Sequence, residues 1–225
     1  MKPNAGFTLI EMAIVLLIVT LLLGGLLAPL AMQAEQRKVA ETQRALDEIK
    51  EALIGFSIAN GRLPRPAVSN AEGGEGPACA NEKACSGFIP WATLAVPKLD
   101  GWGKIFIYSV TPAFANGPIT FATTATKTVK TRDAAGQLVT LAVSAPAVII
   151  SQGKSNWGAG DSGNALADTS STNIDEDTNN TATVIFVSRT QTDNTTATGG
   201  EFDDMATWLS ANILFNRLVA AGKLP

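Results

Sequence analysis

Hydrophobic residues form one long block near the start of the chain and recur at regular intervals after it. Residues 12–32 are apolar except for Thr20, which carries the only polar side-chain atom in the block. As a helix, these twenty-one residues span about 32 Å, close to the thickness of a bilayer's hydrocarbon core. A secretory signal peptide has a shorter apolar region and ends in small residues, and "LAMQAEQ" is a poor cleavage site. The pattern favours a transmembrane anchor.

The segment that follows is amphipathic and extends the same helix. Its apolar side chains fall on one helical face, with Thr42 in the remaining position of the stripe. These side chains belong to Val39, Leu46, Ile49, Leu53 and Phe56. The Asn60-Gly61 pair is a typical C-terminal stop signal. The spacing therefore predicts one long helix over residues 7–60, with a transmembrane or assembly segment at 7–34.

Three residues inside the apolar block predict a break in this helix. They are Gly24, Gly25 and Pro29. A proline in a helix interior removes a hydrogen bond and kinks or locally opens the helix. Membrane helices tolerate such a residue where neighbours satisfy the freed backbone groups. An ordinary kinked anchor is the alternative interpretation.

One carboxylate, Glu11, directly precedes the apolar block. A charge at the centre of a membrane helix costs roughly 2.5–3.5 kcal/mol. Glu11 either reaches the lipid headgroups, which keeps this cost small, or has a cationic partner elsewhere. The positive-inside rule does not choose an orientation, because Lys2 precedes the block and Arg37 and Lys38 follow it closely.

The remainder of the chain predicts a head with an antiparallel β-sheet. Six runs have the composition of strands: 105–110, 119–124, 126–131, 138–144, 147–151 and 183–188. Residues 155–182 and 190–200 are polar and are predicted as loops, and a short helix with Ser210 as its N-cap ends the chain. We therefore expect an α+β fold in which the long helix packs on the sheet, with the head at residues 61–225.

Composition argues against several functional classes. The chain has no histidine, which removes the commonest general base and the commonest metal ligand. A net charge of −3 without a basic cluster gives no indication of nucleic-acid binding. Cys79 and Cys85 are six positions apart and favour a disulfide if the head lies outside the cytoplasm. Two free buried thiols are the alternative. An enzyme is not expected.

The stretch "GFTLIE", Gly6 to Glu11, resembles the processing site of type IV prepilins and type II secretion pseudopilins. The resemblance implies a leader at residues 1–6, cleavage between Gly6 and Phe7 by the prepilin peptidase, and N-methylation of Phe7. It also implies that Glu11 pairs with the Phe7 amine of a neighbouring subunit during assembly. The leader would then be cytoplasmic and the head periplasmic.

Three stretches of the head resemble pseudopilins as well. "DGWGKIFIY", residues 100–108, is similar to the D-P-W-G-x-x-Y-x-Y stretch that leads into the sheet, with Gly101 in place of the proline. "SQGK" at 151–154 and "GGEFDDMATW" at 199–208 resemble a loop that holds calcium in major pseudopilins. The resemblance makes Asp203 and Asp204 candidate calcium ligands, as oxygen donors suit this ion. A surface strand edge or helix cap is the alternative. "DEDTNN" at 175–180 lacks the glycine and glutamate of an EF-hand.

These features predict a structural subunit of a type IV pilus (a fimbrium) or a type II protein secretion pseudopilus. Its expected partners are other pilin or pseudopilin subunits, the prepilin peptidase and methylase, the inner-membrane assembly platform and the membrane itself. The alternative is a single-pass, inner-membrane-anchored periplasmic binding domain that does not polymerise. An anchored periplasmic enzyme is the third hypothesis, which the absence of histidine makes the weakest.

Overall fold

The long helix predicted from the hydrophobic pattern is the first element of the structure. In a computed structural model of the chain, residues 6 and 8–224 are described, except for the side chains of residues 22–29. Helix α1 runs from Leu9 to Asn60. The chain divides after Ala40 into two compact units, which we call the N-terminal unit (Met1–Ala40) and the head unit (Glu41–Pro225).

The head unit contains the second half of α1, seven strands and four short helices among the described residues. In chain order these are β1 (Ser86–Phe88), α2 (Trp91–Leu94), β2 (Ile107–Val110), α3 (Pro112–Asn116), β3 (Lys127–Arg132), β4 (Leu138–Ala145), β5 (Ala147–Ser151), α4 (Ile174–Thr181), β6 (Ile185–Val187), β7 (Met205–Trp208) and α5 (Ala211–Ala220). The expected α+β fold, with a long helix and an antiparallel sheet, is confirmed.

The strands form two sheets rather than the single sheet that we expected. The first has the order β1-β2-β5-β7, and its neighbouring strands are all antiparallel. The second has the order β4-β3-β6, in which β3 pairs antiparallel with β4 but parallel with β6. A parallel pair needs a long connection, and the connection from β3 to β6 consists of β4, β5 and the polar segment that follows β5.

Strand β5 is central because both of its faces are buried. Ala147 and Ile149 lie in the larger core cluster, which also contains α1 and α5 side chains. Val148 and Ile150 point the opposite way, into a smaller cluster with Val129 of β3 and Phe186 of β6. Successive strand residues point to opposite faces, so the continuous apolar run of β5 indicates a strand covered on both sides.

The second half of α1 supplies the helical side of the larger core. Leu46, Ile49 and Leu53 are each no more than 1% exposed, in agreement with the amphipathic spacing. Thr42 is also buried, and its hydroxyl oxygen accepts a hydrogen bond from the Gly101 N–H at 3.0 Å. The polar position in the stripe is therefore satisfied by the loop that leads into the first sheet.

Two further sequence predictions in the head were wrong. Residues 119–124 form no strand, because the Thr120 and Thr123 side chains and backbone hydrogen-bond to each other in a turn; threonine hydroxyls compete in this way with strand ladders. Residues 155–182 are not all loop, since they contain α4. That helix buries polar side chains, so hydrophobic periodicity could not reveal it.

The core assignment predicts different costs for the same substitution at two leucines. Leu53 is fully buried and Leu141, on β4, is half exposed. We expect Leu53→Ala to lower the free energy of unfolding of the purified full-length protein by about 2–5 kcal/mol, because it leaves a cavity. Leu141→Ala should cost less than about 1 kcal/mol. Urea denaturation followed by circular dichroism measures both, and equal costs would contradict this core assignment.

Candidate functional site

The first turn of α1 is closed by a hydrogen-bonded pair, Thr8 and Glu11. The Thr8 C=O accepts the first helical hydrogen bond, from the Met12 N–H, which makes Thr8 the N-cap. Oε2 of Glu11 accepts from the Thr8 N–H at 2.8 Å and from the Thr8 hydroxyl at 2.7 Å. The Glu11 N–H donates in return to Thr8 Oγ1 at 3.3 Å.

This arrangement is a capping box, which satisfies N–H groups that a helix start leaves without partners. The T-x-x-E spacing in "TLIE" is its sequence signal, which the sequence analysis missed. Glu11 thus has a local structural role in addition to any role in assembly. Gly6 is exposed, and Phe7 lies outside the described residues.

The first half of α1 presents apolar side chains to its surroundings. Its described large hydrophobic residues from Leu9 to Leu21 are between 42% and 89% exposed. Thr20 donates within the helix to the carbonyls of Leu16 and Leu17, so the hydroxyl in this block needs no outside partner. Within the described part of the chain, no helix combines the length and the hydropathy needed to cross a membrane.

The predicted helix break and part of the predicted transmembrane segment fall on residues 22–29. The backbone there is assigned to α1, but the side chains of residues 22–29 are not described. Gly24, Gly25 and Pro29 lie in this stretch. The break therefore stays a prediction, as does the span over 7–34.

Cys79 and Cys85 form a disulfide in the connector between α1 and the first sheet. Both residues are buried. Asn116, at the end of α3, holds the backbone of Cys79 on both sides: its amide nitrogen donates to the Cys79 carbonyl at 2.7 Å, and its Oδ1 accepts from the Cys79 N–H at 3.2 Å. The disulfide thus closes a short loop within the connector, and the burial of both cysteines together with the Asn116 hydrogen bonds attaches that loop to the core.

The "DGWGK" turn is organised by the buried carboxylate of Asp100. Its Oδ1 accepts from the backbone N–H groups of Trp102 and Lys104, both at 2.9 Å. Its Oδ2 accepts from the Ser151 hydroxyl at 2.6 Å. Asp100 and Ser151 begin two of the stretches that resemble pseudopilins, and the structure brings them into contact.

Glycines allow the "SQGK" and "GGEFDD" stretches to lie close to their neighbours. Gly153 has a φ of +54°, and a Cβ there would lie 1.9 Å from Oδ1 of Asp203. Gly199 has a φ of +89°, and a Cβ there would lie 2.1 Å from Oδ2 of Asp175. Such positions favour glycine for both backbone conformation and space. The "SQGK" and "GGEFDD" segments therefore meet in one place, next to α4.

Asp203 and Asp204 lie beside Glu176 of α4, and we call these three residues the carboxylate cluster. One oxygen from each lies within 4.8 Å of the others, so a metal ion could bridge them and calcium at Asp203 and Asp204 stays a prediction. Glu176 was missed, because it is distant in sequence and belongs to the predicted loop. The segment that begins like an EF-hand forms α4 instead.

The cluster lies in an environment that disfavours negative charge. Burial, and next the charge of Glu176, raise the pKa of Asp203 to about 6. Burial raises the pKa of Asp204 well above its usual range. Oδ1 of Asp203 is buried and has no hydrogen-bond partner among the described residues. Such a site needs positive charge or protons for neutralisation.

A lysine provides positive charge close to the cluster. Lys104 is only 3% exposed, and its ammonium group donates to the carbonyls of Gln152, Ser155 and Asn156 at 2.8, 2.7 and 2.6 Å. Burial lowers the pKa of Lys104, while the charges of Asp203, Asp100, Asp204 and Glu176 act in the opposite direction. Sequence analysis gave no reason to single out this lysine.

Comparison with known proteins gives one match, at the N-terminus. Residues 1–27 match the family model of the prokaryotic N-terminal methylation motif. No curated protein and no solved structure is significantly similar to the chain. The matched residues include Gly6, Phe7 and the Thr8–Glu11 cap, and the resemblance seen in "GFTLIE" is thereby confirmed. Residues 1–27 carry the prokaryotic N-terminal methylation motif, the signature of type IV pilins and pseudopilins.

Proposed function

We propose that the protein is a structural subunit of a type IV pilus or a type II secretion pseudopilus. It is cleaved after Gly6, N-methylated at Phe7 and polymerised through the first half of α1. The observation that carries this proposal is the methylation motif at residues 1–27, followed directly by a helix whose described apolar side chains are exposed up to Leu21.

The exposed apolar surface on the first half of α1 indicates contact with lipid or with another protein. A contiguous apolar surface larger than a few hundred Å² is rare on a soluble monomer and marks a membrane or protein interface. We infer that lipid covers the helix first, with the N-terminus cytoplasmic and the head periplasmic, and that helices of neighbouring subunits cover it in the filament. No charged residue occurs between positions 12 and 34, which suits both environments.

Glu11 then has two roles in the proposed assembly. Thr8 contacts Oε2, and the second carboxylate oxygen can accept a hydrogen bond from the methylated Phe7 amine of another subunit. The cap fixes the carboxylate at the helix start, where it also interacts favourably with the helix dipole. Among apolar helices a charge pair of this kind selects one axial register, because other registers leave a charge unpaired.

The alternative is an anchored binding domain that does not polymerise. It requires neither cleavage after Gly6 nor a partner for Glu11. Processing of the N-terminus therefore distinguishes the two proposals without knowledge of any ligand.

Processing is tested by mass spectrometry of the N-terminal peptide. We expect protein from native membranes to give a peptide that begins at Phe7 and carries one methyl group. Gly6→Ala, at an exposed position where the added Cβ meets nothing within 4 Å, should retain residues 1–6 on a larger fraction of the protein, because the resemblance places this glycine at the cleaved bond. An intact leader on the wild-type protein, in cells with active prepilin peptidase, would support the anchored binding domain instead.

The two roles of Glu11 are separated by three variants. Glu11→Ala removes both the charge and the cap; Glu11→Gln removes the charge but keeps an acceptor for the cap. Thr8→Val removes the hydroxyl of the cap and keeps the charge. If Glu11 pairs with an amine, the first two variants should lower filament yield roughly tenfold or more, and Thr8→Val should assemble.

The measurements are the amount of sheared filament and the amount of subunit in membranes, both by immunoblot. Equal membrane levels of the three variants control for stability. If Glu11→Gln assembles normally while Thr8→Val and Glu11→Ala fail, Glu11 acts through the cap and the charge pair is wrong.

A further inference from the structure

We propose that the ammonium group of Lys104 is the cation that neutralises the carboxylate cluster, so that the cluster needs no metal ion for this purpose. The head unit then folds without a metal ion at this position. The inference rests on contacts within the head unit and does not depend on assembly into a filament.

The first observation is the environment of the ammonium group. Its three carbonyl partners lie between 2.6 and 2.8 Å away and belong to the segment that begins with "SQGK". A lysine ammonium has three donors, and a neutral amine has only two. Three acceptors at these distances therefore favour the charged form. Backbone carbonyls are also typical ligands of calcium in protein loops.

The second observation is the charge around the lysine. Asp100 approaches from the turn of Lys104 itself, Asp203 and Asp204 precede β7, and Glu176 belongs to α4. Ser155 and Asn156 link the ammonium to two of these carboxylates. The Ser155 carbonyl accepts from the ammonium while the Ser155 N–H donates to Asp203, and Asn156 joins the ammonium to Glu176 in the same way. The lysine side chain itself is almost fully buried. A buried ammonium is tolerated only where such partners compensate for its lost hydration. The lysine thus joins the turn before β2 to the β5–α4 segment, and Ser155 and Asn156 of that segment in turn bind Asp203 and Glu176.

The third observation is that the remaining donors fit calcium poorly. Calcium takes six to eight oxygen ligands, and the three carbonyls of this loop are already hydrogen-bonded to Lys104. At least one oxygen of each cluster carboxylate accepts a hydrogen bond from the protein. The donors are Asn156 and Asn173 Nδ2 and Asp203 N for Glu176, Ser155 N for Asp203, and Asn179 Nδ2 for Asp204. Among the described residues, Oδ1 of Asp203 is a buried oxygen of the cluster without a hydrogen bond, and it would supply only one of the ligands that calcium needs. The ammonium would also repel a divalent ion at this position.

The experiment compares thermal unfolding of purified full-length proteins in EDTA and in calcium chloride. The variants are wild type, Lys104→Met, which keeps a similar length without the charge, and Lys98→Met as the matched control. Lys98 also bonds a carbonyl and a carboxylate, both from Asp161, but lies outside this group of contacts.

We expect the Tm of the wild type and of Lys98→Met to be the same in EDTA and in calcium. Lys104→Met should unfold about 10 °C lower in EDTA, because it leaves buried carboxylates and carbonyls without their cation. Calcium should recover a substantial part of that loss in Lys104→Met alone, since the vacated carbonyls become available as ligands.

Either of two results overturns the inference: a wild-type Tm that rises by several degrees in calcium, or a Lys104→Met variant as stable as wild type in EDTA. If Lys104→Met does not fold in any condition, calorimetric titration of the wild type with calcium chloride decides the question. Saturable binding at one site that is lost in Asp203→Asn contradicts the proposal, and its absence supports it.

Discussion

Packing of one face of α1 against strands β2 and β5 is the contact on which the rest of the head unit depends. Leu46, Ile49 and Leu53 share a core cluster with Tyr108 and Ile149. Burial of each such side chain contributes about 1.5–3 kcal/mol, more than an exposed ion pair supplies. The same core positions the connector, because the buried Tyr108 hydroxyl donates to the Pro64 carbonyl at 3.0 Å. Helix, connector and sheet thus share one apolar centre.

The long polar segments beyond β5 are held in a different way. They bury few apolar side chains and instead bury charges with partners: Arg132 binds both carboxylate oxygens of Asp175 at 2.7 Å, and Lys104 binds three carbonyls. A buried pair is costly to desolvate, and removal of one partner is more costly still. The contribution of these contacts is therefore largely one of specificity. They select a single arrangement for segments that apolar burial alone would leave undetermined.

The sequence predicted the parts of the fold that follow hydrophobic periodicity. The amphipathic spacing located α1, and the apolar run at 147–151 located β5 as a strand, whereas the burial of both its faces became apparent only in the structure. Periodicity could not reveal α4, whose buried side chains, Asp175, Glu176 and Asn179, are all polar. The parallel pairing of β3 with β6 was also beyond reach, because it depends on how a long polar crossover folds.

The same limit applies to the candidate sites. The N-terminal motif is local, so its residues could be identified from the sequence, and only the Thr8 cap was overlooked. The carboxylate cluster is non-local: Asp203 and Asp204 were found as neighbours in the chain, whereas Glu176 and Lys104 reach them through folding. Composition and spacing do not reveal a buried lysine, because its role depends on the carbonyls that surround it in the folded protein.

On the proposed function, in which the head lies outside the cytoplasm, a covalently attached cation has a consequence for stability. A bound ion stabilises a fold by RT ln(1 + [L]/Kd), so its contribution varies with the concentration of that ion in the medium. The ammonium of Lys104 is present at a fixed local concentration, and its contribution does not change with external calcium. Folding of the head unit would then not depend on the calcium concentration of the surroundings.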